Sequence, residues 1–272
     1  MSGPVRAHLM TRGTLRGHDY TFLGDSPAEQ WWDTVAGWVF MESEELIVRR
    51  NGESGAGLVI SGIPSRRTDV LGTRVRHTVV LDDAQHDQRL AMWLVRCGLD
   101  DTERRRLGEA LDAAFEADFV DALMSGADGD AGAVGSRLLD ALRRAAGEQD
   151  APEEEEDLTG SWAGPVHDEE AGRAFTARVR HLLSDGASPG YAFTTHALGT
   201  LDGVRRVASE LPDDVAVLLH DGNLRGVERL KKAPVPAPRR DRATVGGRTR
   251  TLALALIGAA MTLGIWWLIR QL

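Results

Sequence analysis

The side chains best suited to chemistry follow two short apolar runs in the C-terminal half of the sequence. His196 comes directly after one run, and His220 and Asp221 come directly after the next. Imidazole and carboxylate groups at such positions can transfer protons or ligate a metal. Asp221-Gly222-Asn223 also has the composition of an ordinary turn, in which case His196 only ends a strand. No fingerprint motif accompanies the cluster, so the turn interpretation is favoured.

A second polar cluster, formed by Asp82, Asp83, His86 and Asp87, precedes a predicted helix. Such residues occur in metal sites, but carboxylates before a helix also accept hydrogen bonds from its first free N–H groups. The spacing matches no metal-binding loop, so capping is favoured and no metal site is assigned. The glycine-rich residues 51–57 lack the pattern of a nucleotide-binding loop and read as a turn. The sequence indicates no particular cofactor.

The elements that must position His196 and His220 form a β-α-β pattern. Residues 191–196 and 215–219 are predicted strands, and residues 201–211 form an amphipathic helix between them. An uninterrupted apolar strand after a crossover helix is typical of a parallel pair that is buried on both faces. The carboxyl ends of parallel strands meet at one edge of a sheet, where ligands collect. We therefore expect a crevice beside the two histidines.

The N-terminal half predicts an antiparallel sheet followed by helices. Residues 45–50 and 57–61 flank Asn51-Gly52, a hairpin signal, and residues 73–81 alternate as a strand. The fold class is α+β (mixed α/β), with an N-terminal region over residues 1–146 and a β-α-β region over residues 161–230. An acidic loop or linker over residues 147–160 separates them. The sequence leaves open whether the two regions share one domain.

Charge divides the chain into an acidic body and a basic stretch. Residues 1–230 carry 24 Lys or Arg against 40 Asp or Glu, so a nucleic-acid partner is not expected. Residues 231–250 form a proline-containing tether rich in cations, which are Lys231, Lys232, Arg239, Arg240, Arg242, Arg248 and Arg250. These cations fit either the positive flank of a membrane span or a surface that binds anionic lipid.

Residues 251–269 contain no charged side chain over 19 positions and predict a single transmembrane helix. At about 1.5 Å per residue such a helix is ~28 Å long, close to the hydrocarbon thickness of a bilayer. Because the cations precede the span, we expect a cytoplasmic N-terminal body, a C-terminus outside, and a tail-anchored protein of the cell membrane. The single cysteine agrees with a reducing compartment.

One side of the predicted span carries small residues. Ala255, Gly258, Ala259 and Thr262 recur at helical spacing, which would let two helices approach closely and predicts a homo-oligomer through the anchor. The alternative is chance, since alanine and glycine are common in membrane helices.

Two classes of function follow. The first is an adaptor or sensor at the membrane whose acidic body binds a protein partner; adjacent Trp31 and Trp32 cannot both face inward and hint at such a surface. The second is a membrane-bound enzyme, a hydrolase or nucleotide-processing protein, that uses His196 and His220. The sequence favours the first, because a catalytic site normally shows more converging polar residues.

Overall fold

A computed structural model describes residues 4–52, 55–126, 131–147 and 157–230. These residues form a mixed α+β fold around one nine-stranded sheet. The strands are β1 (Arg6–Thr11), β2 (Thr21–Leu23), β3 (Leu46–Arg50), β4 (Ala56–Thr68), β5 (Arg74–Asp82), β6 (Trp162–Pro165), β7 (Gly190–Thr195), β8 (Asp214–Leu219) and β9 (Glu228–Arg229). Their order across the sheet is β2-β1-β5-β4-β3-β7-β8-β6-β9.

Six α-helices occur among the described residues. They are α1 (Gln88–Leu99), α2 (Asp101–Ala114), α3 (Ala117–Met124), α4 (Val134–Ala146), α5 (Glu169–Leu183) and α6 (Leu201–Glu210). A 3-10 helix spans Trp31–Trp38. Within it Trp32 is buried and Trp31 is partly exposed, as two adjacent positions on one helix require.

The sheet joins an antiparallel half to a parallel half. β7 and β8 run parallel around α6, and β6 runs parallel to β8 on its other side. β3 then pairs antiparallel with β7, so the C-terminal strands continue the N-terminal sheet. The short strands β6 and β9 were not anticipated, because four and two residues are too few to establish a hydrophobic period.

Apolar side chains bury both faces of the sheet. On one face a core of buried side chains includes residues from α1, α2, α4 and α5, and on the other face a second core includes residues from α6 and the 3-10 helix. Cys97 is buried within the first core, as its place on the apolar stripe of α1 predicts. The interior is therefore a sheet between two helical layers, the arrangement that buries parallel strands on both sides.

A hydrogen-bonded histidine–aspartate pair links α2 to the sheet. His77 on β5 lies 3.0 Å from Asp112 on α2, whose carboxylate also accepts hydrogen bonds from the hydroxyl of Ser65 and the amide of Arg66. Burial opposes ionisation of Asp112, but these hydrogen bonds outweigh it and lower the pKa of the carboxyl to about 2. Burial also lowers the pKa of His77. The cluster is structural, since it holds a helix against the strand pair beneath it.

The predicted basic tether and transmembrane helix lie outside the described residues, as does most of the predicted acidic loop. Within the described ranges no helix is both long and apolar enough to cross a bilayer.

Candidate functional site

The two histidines singled out in the sequence lie side by side at the carboxyl edge of the parallel strands. His196 follows β7 directly and His220 follows β8 directly. The amide of His220 donates to the carbonyl of Thr195 over 3.0 Å, which fixes the two strand ends together. Their imidazole rings stack at 3.8 Å between centroids with only 8° between planes. The crevice expected from the β-α-β pattern is therefore present.

A buried carboxylate, which the sequence analysis did not single out, completes the group. Glu45 precedes β3, and because β3 runs antiparallel to β7, the start of β3 lies beside the end of β7. The Glu45 side chain has no exposed surface. Its Oε1 accepts from the amides of His196 at 3.0 Å and Phe40 at 3.3 Å, and its Oε2 accepts from the Thr194 hydroxyl at 3.3 Å.

Glu45, His196 and His220 each offer one ligand atom, and these three atoms lie within 4.8 Å of one another. The Oε1 of Glu45 lies 3.5 Å from Nδ1 of His196. Nδ1 of His196 and Nε2 of His220 are both buried without a hydrogen-bond partner. Buried polar atoms of native proteins are nearly always paired, so two unpaired nitrogens beside one carboxylate indicate a place for a ligand.

Burial also sets the protonation of this group. Desolvation raises the pKa of the Glu45 carboxyl, despite the hydrogen bonds that favour its charged form. Desolvation lowers the pKa of His220 to about 4, and the neighbouring His196 adds electrostatic repulsion when it is protonated. His220 is therefore a neutral imidazole at pH 7, the form that ligates a metal or accepts a proton. Among the described residues, the ionisable partner of the Glu45 carboxyl is the imidazole of His196, 3.5 Å away.

The group adjoins a cavity of about 710 Å³, whose walls include His196, His220, Asp221 and the junction of α1 with α2. A third histidine, His167, also lines it. His167 follows β6, so each of the three neighbouring parallel strands is followed by a histidine at its carboxyl end. The sequence analysis missed His167 because β6 itself was not anticipated. The cavity thus gives small molecules access to the histidine edge.

The three-atom group matches the donor set of a transition-metal centre. Two imidazoles and one carboxylate are the protein ligands in one class of catalytic zinc sites, and the fourth position there is left open. Ligands of a tetrahedral ion held at about 2.0–2.2 Å are ~3.4 Å apart. The 3.5 Å between Glu45 and His196 already has that spacing. A separation of 4.8 Å would have to close by ~1.4 Å, and the stacked imidazoles would have to rotate before both could face one ion.

Two other clusters with catalytic residue types have structural explanations. His18 lies 2.9 Å from Asp121 and 3.4 Å from the hydroxyl of Ser125, the order of a Ser-His-Asp relay. However, the amides of Ser125 and Gly126, which would have to stabilise an oxyanion, already donate to helix carbonyls. In the cluster before α1, Asp87 accepts from the amide of Leu90 as a helix cap, as predicted.

Comparison with protein-family models, with curated proteins and with solved structures finds no match to this chain. The geometry of the site therefore carries the functional argument. Sequence reasoning placed His196, His220 and Asp221 at one edge, and the structure brings all three to the same cavity. The small-residue face of the predicted anchor, at residues 255–262, and the cations of residues 231–250 lie outside the described residues.

Proposed function

We propose that this protein is a metal-dependent hydrolase whose metal is held by Glu45, His196 and His220. The observation that carries the proposal is the convergence of these three side chains beside a cavity, with two buried imidazole nitrogens unpaired. A divalent ion would compensate the buried Glu45 carboxylate and satisfy both nitrogens at once. An adaptor surface would not require this combination of groups.

Zinc is the metal that this donor set favours among abundant divalent ions. Imidazole suits zinc, copper, nickel and iron, and sites of this type hold Zn²⁺ more tightly than Fe²⁺ or Mn²⁺. A zinc ion with an open position polarises water and the carbonyl or phosphoryl oxygen of a substrate. In this arrangement Glu45 and the two histidines orient the ion, while His167 and Asp221 stand on the cavity wall where a proton could be taken or given.

The predicted membrane anchor is part of the same proposal. Residues 251–269 would anchor the body to the cell membrane as a single-pass tail, with the basic residues 231–250 on the cytoplasmic side. What supports this is the uncharged length of the run and the position of the cations before it. The substrate would then be a molecule that reaches the cytoplasmic surface of the membrane.

A metal-responsive sensor or adaptor is the second candidate. The amide of Phe40 donates to the same Glu45 oxygen that faces His196, and the Phe40 side chain is 55% exposed. A shift of Glu45 toward a bound ion would therefore reach an exposed aromatic residue that a protein partner could contact. This candidate shares the metal site with the hydrolase but predicts no turnover.

Metal binding is tested with the full chain in detergent after removal of metal by a chelator. Titration with Co²⁺ should give the visible absorption of a tetrahedral site, and Zn²⁺ should abolish that absorption. His196→Ala and His220→Ala should each weaken binding about 100-fold or more, since outer partners of metal ligands alone carry 10–100-fold. His167→Ala is the matched control and should bind as the wild type does, because His167 lies outside the three-atom group.

Turnover then separates the two candidates. The zinc-loaded protein is assayed on chromogenic carboxylic esters, phosphate esters and peptide amides, beside a zinc-loaded His220→Ala variant. Hydrolysis that is restored by zinc and lost in the variant supports the enzyme. Metal binding without hydrolysis of any class supports the sensor, and absence of saturable Co²⁺ binding contradicts both.

Self-association through the anchor remains a separate prediction. Replacing Gly258 and Ala259 by leucine adds bulk to the small-residue face and keeps the run apolar. Crosslinking in membranes should then decrease relative to the wild type. An undiminished crosslink would exclude this face as the contact.

A further inference from the structure

The hairpin that joins β4 to β5 ends in two exposed apolar side chains. Val70 is 59% exposed and Leu71 is 83% exposed, the largest value among the exposed large hydrophobic residues of the described chain. Turn positions ordinarily carry glycine, proline, asparagine, aspartate or serine. Adjacent valine and leucine at the tip of a hairpin therefore place apolar surface in water where a polar residue would serve the turn equally well.

The tip is held firmly despite its exposure. Asp69, which is buried, accepts from the amides of Leu71 at 2.9 Å and Thr73 at 2.8 Å. Its carboxylate also pairs with Arg12 at 2.9 Å, which ties the tip to the loop after β1. Gly72 adopts a positive φ of 79°, which a glycine tolerates. Val70 and Leu71 are thus presented by a turn with a set conformation, so little order has to be gained on binding.

The chain segments next to the tip carry arginines and a further exposed apolar residue. Arg74 follows it on β5 and is exposed. The loop after β1, joined to the tip through Arg12, carries exposed Leu15 and Arg16. Apolar side chains with arginines beside them fit the boundary of an anionic bilayer, where the first enter the acyl region and the second meet headgroup phosphates.

We propose that the β4–β5 tip, through Val70 and Leu71, inserts into the interface of an anionic membrane. The inference rests on the membrane location proposed above and adds a lipid contact made by the folded body. The 20 residues of the tether, 231–250, can extend to roughly 66 Å, so their length does not select a face of the body. Contacts made by the body itself have to make that selection. Arginines beside the tip supply the charge complementarity.

The test uses the full chain reconstituted in vesicles of phosphatidylcholine with or without phosphatidylglycerol. Leu71→Cys is labelled with an environment-sensitive fluorophore, and nitroxide-labelled lipid serves as the quencher. The native thiol does not interfere, because burial raises the pKa of Cys97 to about 12 and the side chain is inaccessible. Ser209→Cys, on the exposed side of α6, is the matched labelling control.

With phosphatidylglycerol present, the probe at position 71 should be blue-shifted and quenched, and the probe at position 209 should be neither. Adding Val70→Ser should reduce quenching at position 71 by at least twofold, whereas Thr68→Ser on the same hairpin should leave it unchanged. Vesicle flotation separates the two levels of inference. If the chain floats with the vesicles but the probe at position 71 is not quenched, tip insertion is refuted and the membrane anchor is supported. The same result is expected if a protein partner covers the tip, and it also refutes insertion. A chain that does not float overturns the anchor.

Discussion

Exchange of Glu45 for glutamine is expected to cost the metal-free protein little stability and to remove most of the stabilisation that zinc gives. In the metal-free form the carboxyl is buried, and its ionisable partner among the described residues is the imidazole of His196. Glutamine has the same shape, and its Oε1 can still accept from the amides of His196 and Phe40. The charge that burial disfavours is removed.

The cost of the exchange is limited to one hydrogen bond. The Thr194 hydroxyl accepts from the amide of Leu46 and donates to Glu45, and glutamine would present a donor to it instead. Losing one such bond costs about 1 kcal/mol, while removing the buried charge returns a similar amount or more. The free energy of unfolding of metal-free Glu45→Gln should therefore lie within about 1 kcal/mol of the wild-type value, or above it.

With zinc bound, the wild type should be clearly more stable than Glu45→Gln. At a free metal concentration of 100 times the dissociation constant, the wild type gains about 2.7 kcal/mol. If loss of one ligand weakens binding about 100-fold, the variant gains only about 0.4 kcal/mol. For a body of this size the wild-type midpoint should rise by roughly 5–11 °C and the variant midpoint by about 1–2 °C.

Thermal unfolding of the chelator-treated chain, with and without buffered Zn²⁺, measures both differences. Glu44→Gln is the matched control, because Glu44 pairs with Arg76 on the cavity wall and lies outside the three-atom group. Its zinc-induced shift should equal that of the wild type. A full shift in Glu45→Gln would show that Glu45 is not a ligand. If metal-free Glu45→Gln loses more than 2 kcal/mol of its free energy of unfolding, the argument that burial disfavours the Glu45 charge is refuted.

Three further predictions concern the body and the anchor. Gly108→Ala should lower the free energy of unfolding in urea by about 1–3 kcal/mol, because the added Cβ would lie 2.0 Å from the carbonyl oxygen of Pro64. Gly172→Ala, which has open space around it, should raise that free energy by roughly 0.5–1 kcal/mol. The pKa of Asp112 is lowered from 3.8 to about 2, so its carboxylate should add up to about 2 kcal/mol to the free energy of unfolding above pH 4. This stabilisation should disappear as the pH falls toward 2, and the urea midpoint of Asp112→Asn should not show that decline. The full chain should stay in membranes after carbonate extraction and a chain truncated before residues 251–269 should not; extraction of the full chain into the supernatant would contradict the anchor.

The parts of the fold that depend on local pattern could be predicted from the sequence. Apolar residues at helical spacing located α6, and the apolar run of β8 after it predicted the parallel pair with β7. That pair was enough to bring His196 and His220 to one edge. Local pattern could not reveal that the strand expected at residues 73–81 is buried on both faces, since helices cover one face and the 3-10 helix the other.

Glu45 shows where sequence reasoning of this kind ends. Its hydrogen bond to the amide of His196 joins residues 151 positions apart and exists only because β3 pairs with β7. The antiparallel half of the sheet supplies the carboxylate and the parallel half supplies both histidines. The group of Glu45, His196 and His220 can therefore form only after the two halves have joined, and the proposed zinc binding should be linked to that pairing. By the same linkage, zinc should protect the amides of β3 and β7 from hydrogen exchange more strongly than those of the edge strand β2. Equal protection of all three strands would show that zinc binding is not linked to the pairing of β3 with β7.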